Sequence, residues 1–320
     1  MSIKPILIVA GEPYSIFLEI FFKSLKKNNF KKPIILIVSK KLLLSQMRLL
    51  KFNFSVNLIN ENNIIFEKLN NKKINIIDIN FKFKKPFSQI SDKSNEYIEK
   101  CFQVSLKLLK TKKFSGMING PISKKNFLKE KFFGITEYLG SKTNRKDVVM
   151  LIYHKKLSVS PITTHIALKE VHKHVGEKKI VIHVKKIIDF YKKQLKIHPK
   201  IAITGLNPHC ESNYKSSEEE KIIIPAIKYL KKNKSNINGP FAADTIFMKN
   251  QSKKYDVIIG MYHDQVLAPA KTLFGFNAIN ISLGLPFIRV TPDHGPNPSM
   301  MGKNSSNPDS LIEALKFLDK

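Results

Sequence analysis

The chain has 320 residues, 42% of them hydrophobic and 25% charged, which supplies apolar material for about two domains and excludes a wholly disordered chain. No apolar run approaches the roughly 20 residues of a membrane-spanning helix. With Cys101 and Cys210 as the only cysteines, a disulfide scaffold is excluded and a reducing compartment is expected. Lys and Arg number 55 against 25 Asp and Glu, a net charge of +30 that raises the possibility of a nucleic-acid or membrane-surface binder. Against that reading, the lysines are spread along the whole chain, and Arg48, Arg145 and Arg289 are the only arginines. There is no Trp and no interleaving of aromatic and basic residues of the RNA-binding kind. Compositional drift toward lysine is the expected explanation, with neither nucleic acid nor membrane as partner and a basic surface that helps anionic substrates arrive.

The opening segment, MSIKPILIVAGEP, does not read as a signal peptide, because its apolar stretch is short and runs into Gly11-Glu12-Pro13. The expected location is the cytoplasm. Short apolar runs at Ile6–Ala10, Ile34–Val38, Ile74–Ile79, Val148–Tyr153, Ile201–Thr204, Val257–Met261 and Ala278–Leu283 predict buried strands. Between them, Ile16–Lys27, Asn95–Lys110, Lys179–Lys196 and Glu218–Asn233 carry helical periodicity, and Pro308-Asp309-Ser310 opens a terminal helix. The alternation predicts an α/β protein with largely parallel sheets. The Lys/Asn-rich stretch 60–85 is the least organised part.

In open α/β sheets, ligands bind at the carboxyl ends of strands. Polar clusters follow several of these runs: Gly11-Glu12-Pro13, Gly205-Leu206-Asn207-Pro208-His209, Tyr262-His263-Asp264-Gln265, and the segment from Gly284 to Arg289. Of nine histidines, none precedes His154. His165, His209 and His263 stand in loop or strand-end settings, where three imidazoles could hold a divalent ion. Their long spacing fits scattered surface or core positions as well. His154, His172, His174, His183 and His198 lie among lysines and are expected to be solvated. Asp244, Asp264 and Asp293 could orient a ligand or relay a proton, or could simply cap helices and form turns. Lys271, Asn280 and Arg289 follow the last of these histidines, and Asn280 and Arg289 fall on a strand's edge. There is no Gly-x-Gly-x-x-Gly, no P-loop and no Gly-x-Ser-x-Gly elbow, so no cofactor-binding residues can be assigned from a fingerprint.

Taken together, GEP (Gly11–Pro13), NGPISK (Asn119–Lys124), GITEYL (Gly134–Leu139), TTHIAL (Thr163–Leu168), GLNPH (Gly205–His209), NGPFAADTIF (Asn238–Phe247), MYHDQ (Met261–Gln265), NISLGLPFIR (Asn280–Arg289) and DHG (Asp293–Gly295) make the chain resemble the 4-hydroxythreonine-4-phosphate dehydrogenase family of vitamin B6 biosynthesis. The resemblance runs over nearly the whole chain, in the family's order. It implies a two-domain α/β/α architecture like that of isocitrate and isopropylmalate dehydrogenases, with a cleft between the domains. The expected division is residues 1–133 with 285–320, and 134–284 carrying the metal histidines. It implies one divalent metal (zinc, magnesium or cobalt) on His165, His209 and His263; beside these, and from their chemistry alone, Asp264 or Asp244 could serve catalysis by orienting a ligand or passing the proton outward. It implies substrate contacts from Thr136, Lys271, Asn280 and Arg289. It also implies NAD or NADP as cofactor, a homodimer, and oxidation of 4-phosphooxy-L-threonine followed by decarboxylation.

The chain departs from the family pattern in places. Ile135 stands where the family carries a histidine before Thr-Glu; Tyr14-Ser15-Ile16-Phe17 replaces a glycine-containing opening; Pro296-Asn297 follows Gly295; and Cys210-Glu211-Ser212 follows His209. These departures motivate an alternative, a paralogue acting on another phosphorylated hydroxy acid of the 4-phospho-threonate or 4-phospho-erythronate type.

Overall fold

The computed structural model describes residues 3–129, 131–132, 134–210, 216–233, 235–275, 277–292 and 294–320. Its strands are β1 (Ile6–Val9), β2 (Ile34–Val38), β3 (Val56–Leu58), β4 (Ile74–Asp78), β5 (Gly116–Asn119), β6 (Val149–Tyr153), β7 (Ser158–Pro161), β8 (Ile201–Thr204), β9 (Ile237–Phe241), β10 (Val257–Gly260), β11 (Ile279–Leu283) and β12 (Arg289–Thr291). The chain divides into two compact α/β units, Met1–Tyr138 with Pro286–Lys320, and Leu139–Leu285. Asp293, Glu211 and Ser212, singled out from the sequence, lie outside the described residues.

In the first unit the strands run β3-β4-β2-β1-β5-β12, all parallel. β1 and β2 are buried along their whole length, which is why they are continuous apolar runs rather than alternating ones. The helix Phe17–Lys27 presents Phe17, Ile20, Phe21 and Ser24 to the interior at helical spacing. Asn95–Leu109 does the same with Ile98, Cys101, Phe102 and Ser105. The 60–85 stretch is better ordered than its composition suggests, because β4 lies within it with Ile74, Ile76 and Ile77 buried.

In the second unit the order is β11-β6-β7-β10-β8-β9. β6 pairs antiparallel with both β11 and β7, and the remaining pairs are parallel. Val159, Ala202 and Ile258 from three neighbouring strands pack with Val266 and Ala270 of the helix His263–Phe274.

Two histidines expected to be solvated are not. His183 is 5% exposed, since it shares the buried stripe Ile180, Val184 and Ile187 of its helix. Ser160 donates its hydroxyl proton to the Met150 carbonyl, so at 2.7 Å the His183 Nε2–H is the donor to the Ser160 oxygen. Burial, helped by Lys179 and Lys186, pushes its pKa down to about 3, which keeps the imidazole neutral. His154 is half-buried and stacks on Phe274 at 4.1 Å. His172, His174 and His198 are exposed.

Candidate active site

In the second unit, β7, β10 and β8 are adjacent and parallel, so their carboxyl ends lie on one edge. Each is followed within a few residues by one of the three singled-out histidines: His165 after β7, His263 after β10 and His209 after β8. A hydrogen-bond lattice ties these strand ends together. Thr163 donates its backbone N–H (3.1 Å) and its hydroxyl (2.7 Å) to the Met261 carbonyl. Gln265 Oε1 accepts from Met261 N (2.7 Å) and from the Thr204 hydroxyl (2.9 Å), while its Nε2 donates to Gly205 O (2.8 Å). Both sides of one buried amide are thereby spent joining the end of β10 to the end of β8.

The loop carrying His209 has a second clamp. Glu219 is 1% exposed and accepts from Leu206 N (2.7 Å), Asn207 N (2.8 Å) and Asn207 Nδ2 (2.9 Å). Burial alone would raise this carboxyl's pKa, but the hydrogen bonds from Asn207, Glu219's own backbone and Leu206 outweigh it and hold the pKa below the usual value. The loop needs holding, because His209 (φ 56°) and Cys210 (φ 59°) are both left-handed, a conformation L-residues adopt at a cost.

The His165 and His263 rings lie 5.5 Å apart, centroid to centroid. His263 Nδ1 is 2.7 Å from Asp264 Oδ1, a contact that orients the ring. His209 Nε2 is 3.5 Å from Asp244 Oδ2. The imidazole pair His165–His263 suits two positions of a divalent-cation site. His209 is engaged by Asp244, and among the described residues no group of three His, Cys, Asp or Glu side chains converges on a point that could hold an ion. Of the remaining expected contacts, Lys271 is exposed in the last turn of the His263–Phe274 helix. Asn280 lies in β11 with its Oδ1 buried and without a hydrogen-bond partner among the described residues, an acceptor suited to a ligand donor.

Arg289 and Thr136 belong to the first unit. Arg289 opens β12 and is completely buried, with Nε donating to Asn119 Oδ1 (2.7 Å) and Nη1 to Thr136 Oγ1 (3.2 Å). Burial pushes the guanidinium pKa down to about 9, against the pull of Glu137. Ile135 is half-buried at the first position of the helix Ile135–Lys142, one residue before Thr136. The GEP and NGP turns meet backbone to backbone at this edge. A Cβ at Gly120 would lie 2.1 Å from Ala10 O, and one at Gly11 (φ +79°) would lie 2.4 Å from Pro121 O. Only glycine fits either position. Glu12, between them, accepts from Tyr14 N (3.3 Å) and the Ser94 hydroxyl (3.1 Å).

Gln265, Glu219, Thr163 and Asn119 do not stand out in the sequence as functional residues. All but Glu219 stand inside motifs already quoted, but nothing in the string distinguishes a residue that touches ligand from one that braces the residue beside it. Glu219 falls at the beginning of the helical stretch Glu218–Asn233, where an acidic residue is commonplace; its burial is a tertiary fact.

Comparison with known proteins places this α/β chain beside dehydrogenases. Residues 29–318 match the family described as "Pyridoxal phosphate biosynthetic protein PdxA". The chain is 37% identical over 316 residues to the 4-hydroxythreonine-4-phosphate dehydrogenase of Sulfurihydrogenibium sp. (strain YO3AOP1), covering 97% of this chain and 96% of that one. It is 32% identical over 325 residues to the protein of that name from Vibrio parahaemolyticus, covering 98% and 96%. The crystal structure of the Klebsiella pneumoniae 4-hydroxythreonine-4-phosphate dehydrogenase superposes with a TM-score of 0.85 at 25% identity, covering 98% of each chain. The chain belongs to the PdxA family of pyridoxal phosphate biosynthesis.

Proposed function

We propose that this protein oxidises the C3 alcohol of 4-phosphooxy-L-threonine with NAD⁺ or NADP⁺. The C3 hydride passes to the nicotinamide and the hydroxyl proton is released, giving 2-amino-3-oxo-4-phosphooxybutanoate. Loss of the carboxylate as CO₂, with a proton taken up at the carbon that carried it, then yields 3-amino-2-oxopropyl phosphate. Family membership supports the reaction, and the observation in this chain that carries it is the common edge of β7, β10 and β8, from which the loops of His165, His263 and His209 emerge. His165 and His263 would supply two ligands of a divalent cation (zinc, magnesium or cobalt), and His209 would join them on leaving Asp244; the cation's charge would acidify the alcohol and stabilise negative charge on its oxygen. Asp264 holds the His263 ring, and Asp244 holds His209 and is the group to which a released proton could pass. Arg289, Thr136, Lys271 and Asn280 bind the anionic and polar groups of the substrate. The working form is a cytoplasmic homodimer. Among the described residues no helix is long and apolar enough to cross a membrane.

The relatives above share one name, so a paralogue specific for 4-phospho-threonate or 4-phospho-erythronate is not favoured. The test is direct. Purified protein, stripped with chelator and supplied with each metal in turn, is mixed with 4-phosphooxy-L-threonine and NAD⁺ or NADP⁺. Reduced nicotinamide should form, and its absence with every metal would overturn the proposal.

A further inference from the structure

Asn119 ends β5, and β12 pairs with β5 in parallel, with Arg289 opposite Met117 and Val290 opposite Ile118. Arg289 and Thr291 are two residues apart on one strand, so their side chains leave from the same face. Both reach the same atom: Asn119 Oδ1 accepts from Arg289 Nε at 2.7 Å and from the Thr291 hydroxyl at 3.3 Å. The Asn119 amide cannot turn over to present its other end, because its Nδ2 donates to Gly120 O at 2.9 Å. A buried amide oxygen is thus fixed in place against the inner nitrogen of a fully buried guanidinium.

We propose that Asn119 is a positioning residue for substrate binding: its neutral oxygen fixes the direction of the Arg289 guanidinium without adding negative charge to it. The inference rests on the reading that Arg289 binds an anionic group of the substrate. The electrostatic reason is local. Glu137 is a carboxylate already acting on Arg289, and a further carboxylate on Nε would turn an anion receptor into an internal ion pair.

Asn119→Asp separates this role from a structural one. It keeps an acceptor on Nε but brings a charge and sets a carboxylate oxygen against Gly120 O where Nδ2 donated, so some loss of melting temperature is expected and binding is measured well below the transition. Meanwhile the dissociation constant of 4-phosphooxy-L-threonine, measured by calorimetry, and its KM should both rise by roughly tenfold to a hundredfold, with kcat moving less. Asn119→Ala should lose melting temperature and affinity together. If Asn119→Asp binds substrate like the parent, the inference is overturned. Arg289→Lys tests the underlying reading separately. A Lys variant with parental affinity removes both claims, whereas a weakened Lys variant beside a parental Asn119→Asp removes the inference alone. If Asn119→Asp does not fold, Asn119→Ser supplies a neutral acceptor. It should stay within about threefold of the parent while Asn119→Ala does not, and equal losses in the two would overturn the proposal.

Discussion

Two side chains of the first unit, Ile135 at the start of a helix and Glu12 just after β1, have measurable consequences. Ile135 immediately precedes Thr136, whose hydroxyl Arg289 contacts, and an alkyl side chain there can neither donate nor accept a hydrogen bond. Where the family resemblance places a histidine, Ile135→His should restore one polar contact, worth about 0.5–1.5 kcal/mol, and lower KM for 4-phosphooxy-L-threonine by up to about tenfold. Steady-state kinetics on the variant check this, and a higher KM would mean that the pocket is shaped for a different hydroxy acid. Glu12 makes a different kind of prediction. Burial pushes its carboxyl from 4.5 up to about 7, against the opposing hydrogen bonds from Tyr14 and Ser94, and its Oε2 has no hydrogen-bond partner among the described residues. Between those two values the folded protein holds a proton that the unfolded chain has released. Stability therefore falls as pH rises from about 4.5 to about 7. Glu12→Gln removes the ionisation while keeping an acceptor for Tyr14 and Ser94. Its melting temperature should match the parent at acid pH and exceed it at pH ~8, by a stabilisation on the order of 3 kcal/mol. Parallel melting curves for the two proteins across that range would refute the assignment.

Between elements, the decisive connection is Gln265, which spends its amide on the ends of β8 and β10. Gln265→Ala strands Met261 N and Gly205 O, so a loss of roughly 2–4 kcal/mol in unfolding free energy is expected. If the histidine loops share an ion, its affinity should fall as well, as read by competition with a chelator. Unchanged metal affinity in a destabilised variant would reduce Gln265 to a purely structural tie. This layer was the least legible in the sequence. β1, β2, β8 and β10 stand out because strands buried on both faces are continuous apolar runs. β7 (SVSP), β9 (INGPF) and β12 (RVT) do not, because each carries polar, Gly or Pro residues whose partners come from elsewhere in the chain. Ser160 is satisfied by Met150 and His183, and Arg289 donates Nε to Asn119 and Nη1 to Thr136. His183 itself was legible. Positions 180, 183, 184 and 187 follow the helical period, and the flanking lysines obscured a stripe that the spacing displays. The histidine loops were found from the string because strand ends announce themselves as a change from apolar to polar. The nature of what braces them does not.

At the scale of the whole molecule, a net charge of +30 sets two opposing responses to salt. Like charges spread over one surface repel, and folding brings them closer than they are in the open chain. The surface ion pairs Lys100–Glu96, Lys173–Glu170 and Lys316–Glu313 are exposed helix-face pairs of the kind that contribute little. Screening should therefore relieve more repulsion than it removes attraction, so the melting temperature should rise as NaCl is raised from about 10 mM to about 300 mM, over which the Debye length shrinks from roughly 30 Å to under 8 Å. The same positive field draws in an anionic substrate, and that attraction weakens over the same interval, so kcat/KM for 4-phosphooxy-L-threonine should fall severalfold while kcat changes little. Stability and catalytic efficiency are thus expected to move in opposite directions. Fully buried Arg289 is screened much less than the surface lysines, so Arg289→Lys should leave the slope of kcat/KM against salt nearly unchanged while shifting its level. A melting temperature that falls with salt would show that the ion pairs outweigh the repulsion. A salt-independent kcat/KM would show that the field at the site is set by buried groups alone and that the abundant lysines contribute nothing to substrate capture.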